Sequence, residues 1–342
     1  MDTVDIAVVG GGIVGALVAR EAAAAFPDAD IAVLERGLIG QGASARSAGV
    51  HFPRGATERV RAMTEHSERY WTEAAIELGL PIHRVDATVV ADRSAEEIET
   101  TYLRLGEPAD PPRGGSPTAR AWRLPGCHYA DVEGVARRVL TSLRDRIRVW
   151  EGSGVERLDS EGEHRLALGH GTELLARRVV LAPGPWIGHP AWAELLAPLG
   201  LRVKKIVAAH IEAPLDSEAA LTVFHDEDAF LLPLRHRGHH LFSYTCDQWD
   251  VEPDALPPAL APEDLADARA VLGRHAPELA ERCVSGRVFC DAYSPRREPV
   301  VAEVRPGVVF AGAAGGSGYR LAPAIADQTV TALTTANTPA HL

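Results

Sequence analysis

The sequence predicts an α/β protein: a parallel sheet carrying a dinucleotide-binding turn, with an antiparallel, β-rich lobe inserted into the chain. Three observations point there. The chain opens on a strand, the turn Gly10-Gly11-Gly12-Ile13-Val14-Gly15, a helix and a second strand ending on Glu35. Short runs at 6–9, 178–182 and 308–311, apolar apart from Arg178, suit strands covered on both faces. Residues 203–244, by contrast, read mostly as strands separated by turns.

Each element has a local reason. Residues 6–9 are a buried strand by length and content, and 16–26 carry helix formers with Val14, Leu17, Val18 and Ala22 at helical spacing. Gly10 allows the tight turn, Gly12 lets a pyrophosphate approach the amides at the helix N-terminus, and Gly15 lets helix and strand pack closely. Glu35, 20 residues after Gly15, is placed to accept hydrogen bonds from an adenosine ribose. A polar, glycine-rich segment over 37–55 leads to a helix started by Thr57 and Glu58, with the stripe Val60, Met63, Tyr70, Trp71, Ala74 and Leu78. A strand at 87–91, a charged helix at 96–105 and a proline- and glycine-rich loop at 106–117 follow.

An amphipathic helix is expected at 131–143, a strand at 147–150 and hairpin-like alternation through Val155, Leu158, Leu166 and Leu168. The strand at 178–182 stops at Pro183-Gly184-Pro185. Strands at 203–211, 230–234 and 240–244 precede a helix over 262–272 with proline in its first turn. A strand at 308–311, a glycine cluster and a helix from about 323 to 333 close the chain. Its 342 residues exceed the ~250 to 300 that one core usually serves. The expected division is a dinucleotide-binding domain of 1–80, 131–190 and 300–342, and a substrate domain of 81–130 and 191–299.

Apolar residues make up 46% and charged residues 24%, the balance of an ordinary globular protein. The formal charge of −12, without a long basic run, sets a repulsive field against nucleic acid or an anionic membrane, so an anionic ligand needs local cations. The only lysines are Lys204 and Lys205. The four cysteines show neither a CxxC pair nor zinc spacing, which reads as free thiols in a reducing cytoplasm and no metal. No basic, then apolar leader opens the chain, so a cytoplasmic location is expected. The apolar stretch 308–326 carries Arg320 and several glycines, against a membrane span.

Four segments give the chain a resemblance. They are the turn ending in Glu35; Gly42-Ala43-Ser44-Ala45-Arg46-Ser47-Ala48-Gly49-Val50-His51; Val179 to Trp186, which holds Leu181-Ala182-Pro183-Gly184-Pro185-Trp186; and the late loop from Phe310 to Pro323. Together they resemble the FAD-dependent D-amino acid oxidase superfamily, which includes glycine and sarcosine oxidases and D-amino acid dehydrogenases. The resemblance implies a Rossmann-like FAD-binding domain with an inserted antiparallel β-rich substrate domain. It also implies an enzyme that oxidises a C–N bond of a small amine or amino acid and passes electrons to O2 or another acceptor.

The cofactor contacts it implies are Gly10, Gly12, Ile13, Val14, Gly15, Glu35 and Arg36 from the first segment and Ala43, Ser44, Arg46, Ser47, Ala48 and Gly49 from the second. Val155, then Ala182, Gly184 and Trp186, and then Gly312, Gly316, Ser317, Gly318, Tyr319 and Arg320 complete them. The resemblance implies that the late loop sets a helix N-terminus near the flavin pyrimidine, where negative charge develops on reduction. Cys290 stands one residue out of register with the cysteine that holds flavin covalently in sarcosine oxidases, so noncovalent FAD is expected. Leu241 aligns with their oxygen-activating lysine, which disfavours fast reaction with oxygen, and Ser294 aligns with the dehydrogenases' carboxylate-binding arginine.

Arg320 matches a carboxylate-binding lysine, and its planar fork suits a carboxylate; contact with flavin or the surface alone is the alternative. Arg54 is a second possible clamp. His51 is either a pocket residue near the flavin or a structural histidine. Phe230 replaces a frequent pocket tyrosine, while Tyr244 and Tyr293 divide between pocket and core. Two other readings stand beside amine oxidation: a 2-hydroxy acid dehydrogenase with His51 as general base, and a noncatalytic flavin-binding partner protein.

Overall fold

The computed structural model describes residues 2–111, 116–161, 163–216, 219–257 and 259–335. Part of the expected loop, residues 112–115, lies outside the described residues. Strand Asp2–Val9 lies parallel to both Ile31–Leu34 and Glu173–Leu181, and Arg148–Trp150 and Val308–Gly312 extend the parallel set on either side. An antiparallel hairpin, Val155–Glu161 with Glu163–Leu168, and strand Val300–Arg305 bring this sheet to eight strands.

Helices Ile13–Ala25, Glu58–Leu78, Val132–Ser142 and Gly318–Thr335 cover one face, where Leu17, Val18, Trp71, Val135 and Ile325 form the core. Trp192 and Leu196 pack on the other face with Val155, Leu166 and Phe310. Coverage on both sides explains why the central strands are apolar without alternation. Thr57 caps its helix by accepting from the amide of Val60, and Gly79 ends it with φ +59°.

The second sheet also has eight strands, ordered Cys283–Tyr293, Arg202–Ile211, His239–Tyr244, Ala229–Leu234, Leu221–Phe224, Ala87–Ala91, Arg120–Arg123 and Pro108–Ala109. It is antiparallel except where Ala87–Ala91 meets Leu221–Phe224. Helix Pro262–Gly273 packs against it, fixed by a buried pair, Lys205 Nζ to Asp264 Oδ1 at 2.6 Å. A third, small sheet joins Val50–His51, His128–Ala130 and Ile82–Arg84. Among the described residues no helix is long and apolar enough to cross a membrane.

Three expectations need correction. The helix expected over 96–105 is only Ala95–Glu99, because the chain then turns to bury Tyr102 and exchanges backbone hydrogen bonds with Pro53 and Gly55. The last helix begins at Gly318 and not near Pro323, so the proline stands inside it, and Arg320 belongs to its first turn. Strands Cys283–Tyr293 and Val300–Arg305 escaped notice: Ser285, Gly286, Arg287 and Asp291 hide the first in a polar sequence, although it pairs along Arg202–Ile211.

Candidate functional site

A cavity of about 1450 Å³ runs from the first glycine turn to the head of the last helix, between the ends of the parallel strands and the second sheet. At Gly10, φ is +107° and a Cβ would lie 2.3 Å from the carbonyl oxygen of Ala182; at Gly15 it would lie 1.9 Å from that of Gly10. Only glycine fits either place. Gly12 caps the first helix without a side-chain partner, no acidic residue stands in the first turn, and Ser44 Oγ accepts from the Ile13 amide at 3.0 Å. The result is an open helix N-terminus of the kind that binds phosphate. Glu35, on the wall, accepts from the amides of Gly11 and Gly37, both at 2.8 Å, which holds the turn beside the second strand.

Arg36 lies over the Trp186 ring at 3.9 Å and makes a two-pronged pair with Asp254 at 2.8 and 3.1 Å. Asp254 also accepts from Trp186 Nε1 at 2.8 Å. Arg46 turns back onto the carbonyls of Gln41 and Gly42, and Arg287 holds the Arg46 and Ser47 carbonyls from the second sheet. All the residues expected to touch the cofactor line this one cavity except Gly15, which acts behind the wall.

At the other end, Gly315 has φ +53°, and a Cβ there would overlap the Tyr293 ring at 2.2 Å. Tyr293 Oη accepts from the Gly316 amide at 3.2 Å, so this tyrosine supports the late glycine loop from below. Tyr319 turns inward, stacking on Trp71 at 4.6 Å and bonding His128 Nε2 at 3.1 Å. Arg320 is buried, only 7% exposed, and donates to Ser317 Oγ at 2.6 Å and to the Arg54 carbonyl. No carboxylate pairs with it among the described residues. Burial, then the nearby Arg54 charge, pulls its guanidinium down to about 9.

Arg54 is committed differently: it pairs with Asp228 Oδ1 at 2.7 Å. Burial opposes ionisation of Asp228, but Arg54 and the Thr245 hydroxyl hold its carboxyl below the usual range. Phe230 lines the cavity. Tyr244 reaches the wall, yet its hydroxyl donates to the Asp264 carbonyl at 3.3 Å within the core.

His51 is a correction. Val50 and Phe52 face the cavity, so the alternation of a strand turns His51 the other way. It is fully buried, stacked on His128 at 4.6 Å, and both ring nitrogens lack a hydrogen-bond partner. Burial draws its pKa well below 6.5, which leaves a neutral ring away from the cavity. Leu241 likewise sits in the core of the second sheet and off the cavity wall; the lysine that does line the cavity is Lys204, 5.1 Å from the Trp249 ring. Cys290 lines it as well, and burial pushes its thiol up to about 12.

No role for Asp228 or Asp291 is legible in the sequence. Neither carries a local motif: pairing of Cys283–Tyr293 with the distant Arg202–Ile211 brings Asp291 to the wall, and Asp228 sits in the turn that joins Leu221–Phe224 to Ala229–Leu234.

The sequence model of the FAD dependent oxidoreductase family (DAO) matches residues 5–332. No curated protein sequence matches the chain. Among solved structures, glycine oxidase from Geobacillus kaustophilus superposes with a TM-score of 0.78 at 17% identity, covering 99% of this chain and 96% of that one. FAD-bound L-alpha-glycerophosphate oxidase from Mycoplasma pneumoniae gives 0.78 at 16% identity, covering 98% and 95%. Fructosyl amine:oxygen oxidoreductase from Aspergillus fumigatus gives 0.79 at 18%, covering 97% and 87%. At these identities the likeness is one of fold.

Proposed function

This chain belongs to the DAO family of FAD-dependent oxidoreductases, and from that premise we propose that it oxidises the C–N bond of a small amino acid to an imine. The observation that carries the reading is Arg320: a buried guanidinium with no carboxylate partner among the described residues, at the head of the last helix on the cavity wall. An unpaired buried charge is costly, and a substrate carboxylate would satisfy it by a two-pronged contact.

FAD fits the cavity's two ends. The open N-terminus of the first helix and the glycines that admit no Cβ suit the pyrophosphate, Glu35 the ribose, and the Gly312 to Gly318 loop the flavin. When bound, FAD would supply the acceptor for a hydride, which carries both electrons of the oxidation. The protein's part is to hold the carboxylate at Arg320, orient the adjacent carbon and exclude water. With its thiol held protonated by burial, Cys290 supports noncovalent binding.

The reading as a 2-hydroxy acid dehydrogenase with His51 as general base loses that base, because His51 faces away from the cavity. The test is anaerobic bleaching of the oxidised flavin by amino acids of both hands, amines without a carboxylate, and 2-hydroxy acids. Amino acids should bleach it and the other two classes should not. Equal bleaching by 2-hydroxy acids would overturn the C–N assignment, and no bleaching by any of them would favour a noncatalytic flavin-binding protein.

A further inference from the structure

Arg320 answers a carboxylate, and an amino acid also brings an amine. Asp291 lies on strand Cys283–Tyr293 and lines the cavity. Its Oδ2 is 4.0 Å from the point where a Cβ on Gly316 would stand. Ser317, the next residue, holds Arg320 Nη2. The late loop therefore has a carboxylate beside Gly316 and, at the next residue, a guanidinium that no carboxylate pairs with among the described residues. Among the described residues Asp291 accepts no hydrogen bond and joins no ion pair. Lys204 is directly across in the antiparallel register, but its ammonium lies over the Trp249 and Tyr293 rings at 5.1 and 6.0 Å.

We infer that Asp291 receives the substrate's ammonium and takes one proton from it, so that Arg320 and Asp291 together recognise a zwitterion. The inference rests on the amino acid reading above. The step is a proton transfer: R–NH3⁺ and the carboxylate become R–NH2 and the carboxylic acid, and no electron moves. Hydride loss from the adjacent carbon needs the nitrogen lone pair, which an ammonium lacks. A carboxylate at the ordinary value of ~3.9 is a poor acceptor for that proton. Burial pushes Asp291 up to about 7, which narrows the gap.

The charged and titratable groups facing it are Cys290 and Tyr293 on its own strand and Lys204 on the neighbouring one. Asp228, paired with Arg54, and Arg297 on the turn after the strand act on Tyr293, and Arg320 lines the same cavity. Among these, Tyr293 and Cys290 register the Asp291 charge.

The experiment compares wild type, Asp291→Asn and Lys204→Met as FAD holoenzymes. The probes are the amino acid that bleaches the flavin fastest and the carboxylic acid of the same carbon skeleton without the amine. Calorimetry reads binding, and anaerobic bleaching reads kcat/KM against pH. In wild type, kcat/KM should fall roughly tenfold per pH unit below about 7, as the carboxylate protonates. Asp291→Asn should lose that limb and instead gain activity toward the amine's own pKa. It should bind the amino acid about 10- to 100-fold more weakly, with the deaminated acid and FAD content unchanged.

Three results would overturn the role of Asp291 alone: an unchanged acid limb in Asp291→Asn, an unchanged preference for the amino acid, or loss of both in Lys204→Met. Wild-type enzyme that no amino acid reduces would overturn the proposed function and this inference with it.

Discussion

Arg320→Met tests the carboxylate site most directly. The Arg54 carbonyl keeps a second partner, the Thr64 hydroxyl at 2.9 Å, so the substitution leaves only Ser317 Oγ without its donor, at a cost of about 1 kcal/mol. Removing a buried, unpaired charge offsets much of that. Fold stability should change little. Losing a charge-assisted two-pronged contact to a desolvated carboxylate should weaken binding by ~2 to 4 kcal/mol. At ~1.4 kcal/mol per decade this is roughly 30- to 1000-fold in the substrate concentration for half-maximal anaerobic flavin reduction. Flavin content and Tm serve as controls. If Arg320→Met instead loses flavin while the reconstituted enzyme keeps its substrate affinity, Arg320 is a cofactor ligand. The clamp must then be sought at Arg296 or Arg297 on the cavity wall, or at Arg54 if it leaves Asp228.

Acid precipitation should release intact FAD from the protein, and Cys290→Ser should leave flavin content unchanged; flavin retained in the pellet would show a covalent link. Gly15→Ala, which sets a Cβ 1.9 Å from the Gly10 carbonyl oxygen, should abolish FAD retention or soluble expression, and a fully flavinated variant would contradict the close packing. Acid should destabilise the fold through its buried histidines. Burial holds His128 at about 4 and His51 well below 6.5, so the unfolded chain binds protons that the native state refuses. The contribution is present above ~6.5 and is lost as pH falls toward 4; at pH 5 His128 alone accounts for about 2 kcal/mol. In melts at pH 7.5 and 5, His51→Phe should show a smaller acid-induced drop in Tm than wild type, and an equal drop would count against the buried neutral ring.

What the sequence by itself determined is what short stretches of backbone decide. The turn from Gly10 to Gly15, the apolar strands at 6–9 and 308–311, the Thr57 cap and the acid closing the second strand each depend on geometry within a few residues. The same locality made the late glycine loop recognisable, though not the start of its helix, because Pro323 reads as a first-turn residue and stands inside the helix instead.

Tertiary structure alone decided which side chains meet. Arg320 rests on a carbonyl 266 residues away, and Arg36 pairs with an aspartate 218 residues away. His51 was expected as a possible pocket base, but strand alternation and stacking on His128 put it behind the wall. Asp291, with no motif around it, reaches the cavity because Cys283–Tyr293 pairs with Arg202–Ile211. A turn is settled by steric limits on adjacent dihedrals, which the local residues carry, whereas the facing of a side chain is settled by strand register and burial over the whole chain, which no local stretch contains.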